Sequence, residues 1–242
     1  MRTARKKKKK RTSLFLLKLV VFLGLVYAAL FHTPLLTVNQ VTVGGNSVVD
    51  AQSIIDASGV QAGQNMLKIS KKRTQAAIEK IAYVSTADMQ YKWPGRIHLQ
   101  VAEGKIMANV RFPGGYASVD RNLKVLEINA QPRSFPVIEG INIQKSVVGE
   151  KLTIDETDKF DIILVYVNIL EQRGQLPLVH VFRMEGYELH LDMASGVKVN
   201  CGGRADAEYK LSALMESFKS EKEPTIGTFD VTNPKRVVYS ID

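Results

Sequence analysis

From Leu19 to Leu36 the chain carries no charged residue, and the run LVVFLGLVYAALFHTPLL is apolar almost throughout. Ser13 to Leu17 extend it toward the N-terminus, broken only by Lys18. A bilayer core about 30 Å thick takes roughly 20 apolar residues of helix, so the stretch is long enough to span it. Lys18 stands within about a turn of the polar end, where its methylene stem can carry the ammonium to the headgroups. Pro34 falls where such a helix should stop.

Charge sets the direction. Residues 1–18 hold Arg2, Arg5, Lys6, Lys7, Lys8, Lys9, Lys10, Arg11 and Lys18, and no acid. The chain has 33 Lys and Arg against 24 Asp and Glu, so the residues after this tail carry 24 of each sign and the net +9 belongs to the tail. Cations on one flank alone predict a cytoplasmic N-terminus and a translocated body, a single-pass type II arrangement. The run Arg5 to Arg11 is thus a topogenic signal and a contact for anionic lipid. A neutral body argues against nucleic acid, whose binders spread Lys and Arg over a docking face. A cleaved signal peptide would share the basic start, but its apolar region is about 7–15 residues long and ends at a small-residue site that Val26-Tyr27-Ala28 only imitates. The expected division is a basic tail over 1–18, a transmembrane helix over 19–36, and a body outside the cytoplasm.

The body opens with VNQVTVGGN, where Val41 and Val43 share one face of a strand ending at Gly45-Asn46. Asp50 is placed to cap a short helix carrying Ile54 and Ile55, which Ser58-Gly59 ends. Ser70 is placed to cap a second, with Ala77, Ile78 and Ile81 as its stripe. Lys71, Lys72 and Arg73 stand at its start, the unfavourable end for cations in the helix dipole, and read as a solvated face. Ala87, Met89 and Tyr91 alternate, Trp93-Pro94-Gly95 turns, and Ile97, Leu99 and Val101 alternate again, with Trp93 read as a hairpin anchor. The order is strand, helix, helix, strand, strand.

That order, with its residues, resembles a POTRA domain, and the whole chain resembles the FtsQ/DivIB family of bacterial cell-division proteins. The first stretch to carry the likeness is VNQVTVGGN, with Val41, Val43, Gly45 and Asn46. A second is GQNMLKI, with Gly63 and Asn65. A third is the hairpin YKWPGRIHLQVAEGK, with Trp93, Pro94 and Glu103, where Gly104-Lys105 replaces the family's following Arg. Later, YASVDRNLKVLEI is similar to a hairpin with an Asp-x-x-Gly turn, with Asn122 read as the stand-in for glycine. FPVIEGI and the closing GTFDVTNPKRVVYSID complete the likeness. Between them the apolar spacing predicts a helix over about 155–173 and another over about 206–219, with short strands at 179–182, 188–191 and 197–200. The expected architecture is α+β: an anchor, a POTRA-like domain over 37–105, and a β-rich mixed domain with two helices over 106–242.

Residues able to do chemistry are scattered. His32, His98, His180 and His190 show no metal-ligand spacing, and Cys201 is the single thiol. His180 and His190 fall on neighbouring strands near Cys201, which reads as a small buried residue. Ala194-Ser195-Gly196 lacks the first glycine of a nucleophile elbow, and no phosphate loop is present. Asp155, Glu156 and Asp158 read as capping acids at a helix start. No catalytic residue, metal or cofactor is therefore assigned, and the protein is expected to work by binding.

The closing strand offers a means. VVYSI lies near the chain end without charge after Arg236, and an uncovered strand invites another chain to extend the sheet. The family resemblance implies partners of the FtsB/DivIC and FtsL type at the C-terminal strands. It nominates Phe229, Asp230 and Val231 together with Val237, Val238, Tyr239, Ser240 and Ile241. The implied function is a non-enzymatic divisome scaffold at the septum, linked to septal peptidoglycan synthesis. Two alternatives stand beside it, an anchored cell-envelope hydrolase and a POTRA-type secretion or assembly module.

Overall fold

The computed structural model describes residues 15–27, 36–221 and 226–241. The chain divides into two compact units, one up to Glu103 and one from Gly104 onward. Residues 15–27 are helical, a length of about 20 Å at about 1.5 Å per residue. Among the described residues no helix is long and apolar enough to cross a membrane. The basic run Arg5 to Arg11 and residues 28–35 of the expected span lie outside the described residues.

In the first unit β1 (Gln40–Gly44), α1 (Ala51–Ser58), α2 (Lys71–Ile78), β2 (Val84–Lys92) and β3 (Arg96–Glu103) follow the expected order. β3 is central, parallel to β1 and antiparallel to β2. Alternation sends Ala87, Met89, Ile97, Leu99 and Val101 into one core with Ile54, Met66 and Ile78. The helices begin where their caps stand: Asp50 accepts from the Ser53 amide at 3.1 Å, and Ser70 from that of Arg73 at 3.4 Å. Tyr91 leaves the alternating pattern at 41% exposure, its hydroxyl donating to the Ile69 carbonyl. Trp93 is 61% exposed, so the hairpin is not anchored by its indole; the tip projects beyond the core that strand residues such as Ile97 fill.

The second unit begins with β4 (Ala108–Phe112), β5 (Gly115–Val119), β6 (Val125–Asn129) and β7 (Val137–Glu139). The pair β8 (Ile143–Lys145) and β9 (Thr153–Ile154) forms a small sheet before α3 (Thr157–Gln172). β10 (Val179–Glu185), β11 (Glu188–Met193) and β12 (Lys198–Gly202) precede α4 (Ala207–Ser220), and β13 (Thr228–Asp230) and β14 (Val238–Ser240) close the chain. Nine strands make one sheet in the order β14-β13-β12-β11-β10-β7-β4-β5-β6. Phe160, Ile163, Val167 and Leu170 of α3 and Leu211 and Leu214 of α4 share a core with Val110, Ile138, Phe182, Leu191, Val199 and Phe229.

Three local readings change. The acids before α3 do not cap it: Glu156 occupies the cap position without a side-chain bond to the helix. It pairs instead with Lys159 at 2.7 Å, and Asp155 accepts from the Gln144 amide. In the turn after β5 the left-handed residue is Leu123, φ 64°, and not Asn122. The Asp120 carboxylate accepts from the amides of Asn122 at 2.8 Å and Lys124 at 2.9 Å. This closes the loop around Leu123, whose side chain packs on the core. Finally, the last strand spans Val238–Ser240, shorter than the expected VVYSI stretch, and the Arg236 amide before it bonds back to the Asn233 carbonyl in the preceding turn.

Candidate partner-binding edge

β14 is an edge strand, and among the described residues it pairs only with β13. The register sets Thr228 opposite Ser240, Phe229 opposite Tyr239 and Asp230 opposite Val238. Tyr239 turns inward and stacks on Phe229, with ring centroids 4.5 Å apart, and Phe229 stacks on Phe218 of α4 at 5.1 Å. The Tyr239 hydroxyl donates to the Ile226 carbonyl at 2.9 Å. These contacts pin the strand from its inner side. Val238 and Ile241 are left 46% and 65% exposed. Gly227 is required here: at φ 99° its missing Cβ would stand 2.6 Å from the Ser240 carbonyl oxygen and 2.7 Å from the Tyr239 ring.

The nominated residues therefore separate. Phe229 and Val231 are fully buried, and β13 is paired on both sides. Phe229, Asp230 and Val231 support the edge and do not present it. Val237 and Tyr239 are half-buried, while Val238, Ser240 and Ile241 face outward. Sequence reasoning passed over Gly227 and Phe218, since neither glycine nor a helical phenylalanine marks a sheet edge until the packing is seen.

The sheet's other edge, β6, is partly occupied. The Gly149 amide bonds to the Val125 carbonyl at 2.8 Å, and the Val125 amide to that of Glu150 at 2.9 Å. No such backbone partner lies along β14 among the described residues.

The POTRA motif residues are spread through the first unit and hold its loops. Gly45, φ 82°, brings the chain so close to β3 that a Cβ would sit 2.1 Å from the Val101 carbonyl oxygen. The Asn46 amide bonds to the Val49 carbonyl at 2.9 Å. The Gly63 amide donates to the Val38 carbonyl at 2.8 Å, and the Asn65 side chain caps the Leu67 amide at 2.9 Å. Val41 and Val43 flank the core, and Pro94 lies in the exposed hairpin turn. Glu103 accepts from the amides of Ser47 at 3.0 Å, Val48 at 2.9 Å and Val49 at 2.8 Å, and from the Ser47 hydroxyl at 2.6 Å. Desolvation opposes its charge, but the Ser47 hydroxyl and the three amides prevail and hold its pKa down at about 2.

Charged groups on the nine-stranded sheet form a row. Arg111 meets Glu139 at 2.8 Å, Glu139 meets Arg183 at 3.3 Å, and Arg183 meets Asp192 at 2.8 Å. Burial works to raise the Glu139 pKa, and the two arginines bring it below the usual carboxylate value. Cys201 is fully buried, and loss of solvation pushes its thiol up to about 12, away from nucleophilic use. His190 pairs in register with Asn200, and His180 is exposed on β10. Beside Cys201, the buried Lys210 donates to the carbonyls of Cys201 at 2.9 Å and Gly203 at 3.0 Å, which the Tyr166 hydroxyl also reaches.

The first unit thus has the strand order and loop chemistry of a POTRA domain, followed by a β-rich unit whose β14 edge is bare among the described residues. Residues 36–103 match the family described as POTRA domain, FtsQ-type. The cell division protein DivIB of Clostridium botulinum is 20% identical over 247 residues, covering 98% of this chain and 94% of that one. The cell division protein FtsQ of Mycobacterium leprae is 24% identical over 206 residues, covering 85% of this chain and 56% of that one. The solved major extracytoplasmic domain of DivIB from Geobacillus stearothermophilus is 18% identical, covering 44% of this chain and 85% of that one. Its TM-score of 0.31 is too low to bear on the fold. The chain is a homologue of the FtsQ/DivIB proteins.

Proposed function

We propose that this chain is a membrane-anchored, non-enzymatic scaffold of the bacterial division machinery. In this reading it recruits FtsB/DivIC- and FtsL-type partners by adding a strand to β14, and so links division assembly to septal peptidoglycan synthesis. The observation that carries the reading is the free edge itself, Val238–Ser240, pinned from inside by Tyr239 and bare on its other side among the described residues. Relatives named as cell division proteins over most of the chain support the biological setting. Backbone groups of β14 would supply affinity, with Val238 and Ile241 supplying selectivity. The apolar run and basic tail support a type II anchor that keeps the body on the outer face, where confinement raises the effective concentration of other anchored chains.

The test is depletion in the host with the labelled protein followed by microscopy. Filamentous or undivided cells and a label gathered at mid-cell are expected. Normal division with an evenly spread label would contradict the reading.

A further inference from the structure

The first unit carries a groove of about 920 Å³ between the end of α1 and the start of α2, and its lining includes Lys68, Ser70 and Arg73 but no carboxylate. Thr37 lines the same groove. The groove therefore lies where the described body begins, with Thr37 ten residues after Tyr27, the end of the helical segment 15–27. Ten residues reach at most about 36 Å even when fully extended. If the run spans the bilayer, the groove mouth is confined to the membrane surface.

Three further observations fit that position. Leu67, in the short 3-10 turn Met66–Lys68, is 53% exposed and stands beside the groove's lysine. A single exposed leucine is ordinary on a protein surface, but one set among cations has the pattern of an interfacial contact. Lys68, Lys72 and Arg73 are exposed and make no ion pair among the described residues, whereas Lys71 is held by Asp88 at 2.7 Å. Three unneutralised cations at the start of α2 oppose the helix dipole and are unfavourable there unless an anion lies close. The Thr37 and Asn65 backbones bridge, tying the emerging strand to this turn and fixing the groove relative to the point of exit.

We infer that this groove is a seat for anionic phospholipid headgroups, with Lys68 and Arg73 facing the phosphate layer and Leu67 entering the acyl boundary. The seat would hold the POTRA domain against the membrane and restrict the directions in which the second unit can reach. The inference rests on the anchored reading above. It is distinct from the basic tail, which lies on the opposite side of the bilayer in that topology.

The experiment uses the full chain in nanodiscs of phosphatidylcholine, with or without phosphatidylglycerol, carrying an environment-sensitive fluorophore on L67C; the native Cys201 is buried and does not compete for the label. In discs with phosphatidylglycerol the probe should shift to the blue and be quenched by lipids spin-labelled near the headgroup. Both effects should fall in high salt, which shortens the screening length to about 3 Å at 1 M. They should also fall in the K68E/R73E variant. A chain that stays in the disc through alkaline washing but gives a water-like signal at position 67 overturns the lipid seat and leaves the anchor standing. A chain that washes out overturns the anchor, and the seat with it. Equal blue shifts in neutral and anionic discs overturn the headgroup recognition.

Discussion

Glu103 shows how much one side chain decides. A glutamate after a strand suggests nothing beyond a motif, yet its carboxylate collects the amides of Ser47, Val48 and Val49 and joins the end of β3 to the entry of α1. Its folded pKa of about 2 lies below the ordinary value of 4.5. The stabilisation it gives is therefore complete above the ordinary value and is lost as pH falls toward the folded one. Glu103→Gln should cost about 1 kcal/mol at neutral pH, in line with the loss of a cap, and almost nothing near the folded pKa. Urea midpoints of both proteins at the two pH values check this. Leu123 is a second residue-scale case. The sequence pattern puts a turn here, but which residue adopts positive φ depends on where the Asp120 carboxylate closes the loop, and that geometry is three-dimensional. Asp120→Ala should destabilise the second unit by about 2 kcal/mol, while Asn122→Gly should shift it by less than about 0.5 kcal/mol. Thermal unfolding of the two variants distinguishes them.

At the scale of elements, periodicity made most of the fold legible. The first unit's order of strand, helix, helix, strand, strand could be read from Val41/Val43, the caps Asp50 and Ser70, and the alternation of Ile97, Leu99 and Val101. Both long helices of the second unit announced themselves by their apolar stripes, and α3 and α4 lie within a few residues of the expected spans. Strand pairing was not legible. Nothing local in Phe229–Val231 says that this segment is enclosed between β12 and β14, because sheet order is set by partners distant in the chain. The nominated site therefore contracts to β14. Replacing the exposed Val238 of β14 and the adjacent Ile241, Val238→Lys with Ile241→Lys, should weaken binding of an FtsB/DivIC-type partner by about tenfold or more, since lysine on an edge opposes strand addition. Stability should remain within about 0.5 kcal/mol, because neither side chain is in the core. Titration by calorimetry together with a urea melt checks both halves.

At the scale of the whole molecule, each part has a separate physical task. The tail holds the net charge of +9, the apolar run is the part proposed to anchor the chain, and the remainder balances its charges and presents a bare sheet edge among the described residues. The burial of Cys201 and the salt-bridged row from Arg111 to Asp192 give these chemically capable residues structural partners within the second unit. On the scaffold reading proposed above, a chain built in this way acts through what it holds together. The most direct measurement of that is amide hydrogen exchange of the full-length protein in nanodiscs, with and without an FtsB/DivIC-type partner. Slowed exchange centred on Val238–Ser240 is the predicted result, abolished by the paired lysine substitutions. Unchanged exchange at β14, with protection appearing instead along β6 or across the charged row, would contradict it.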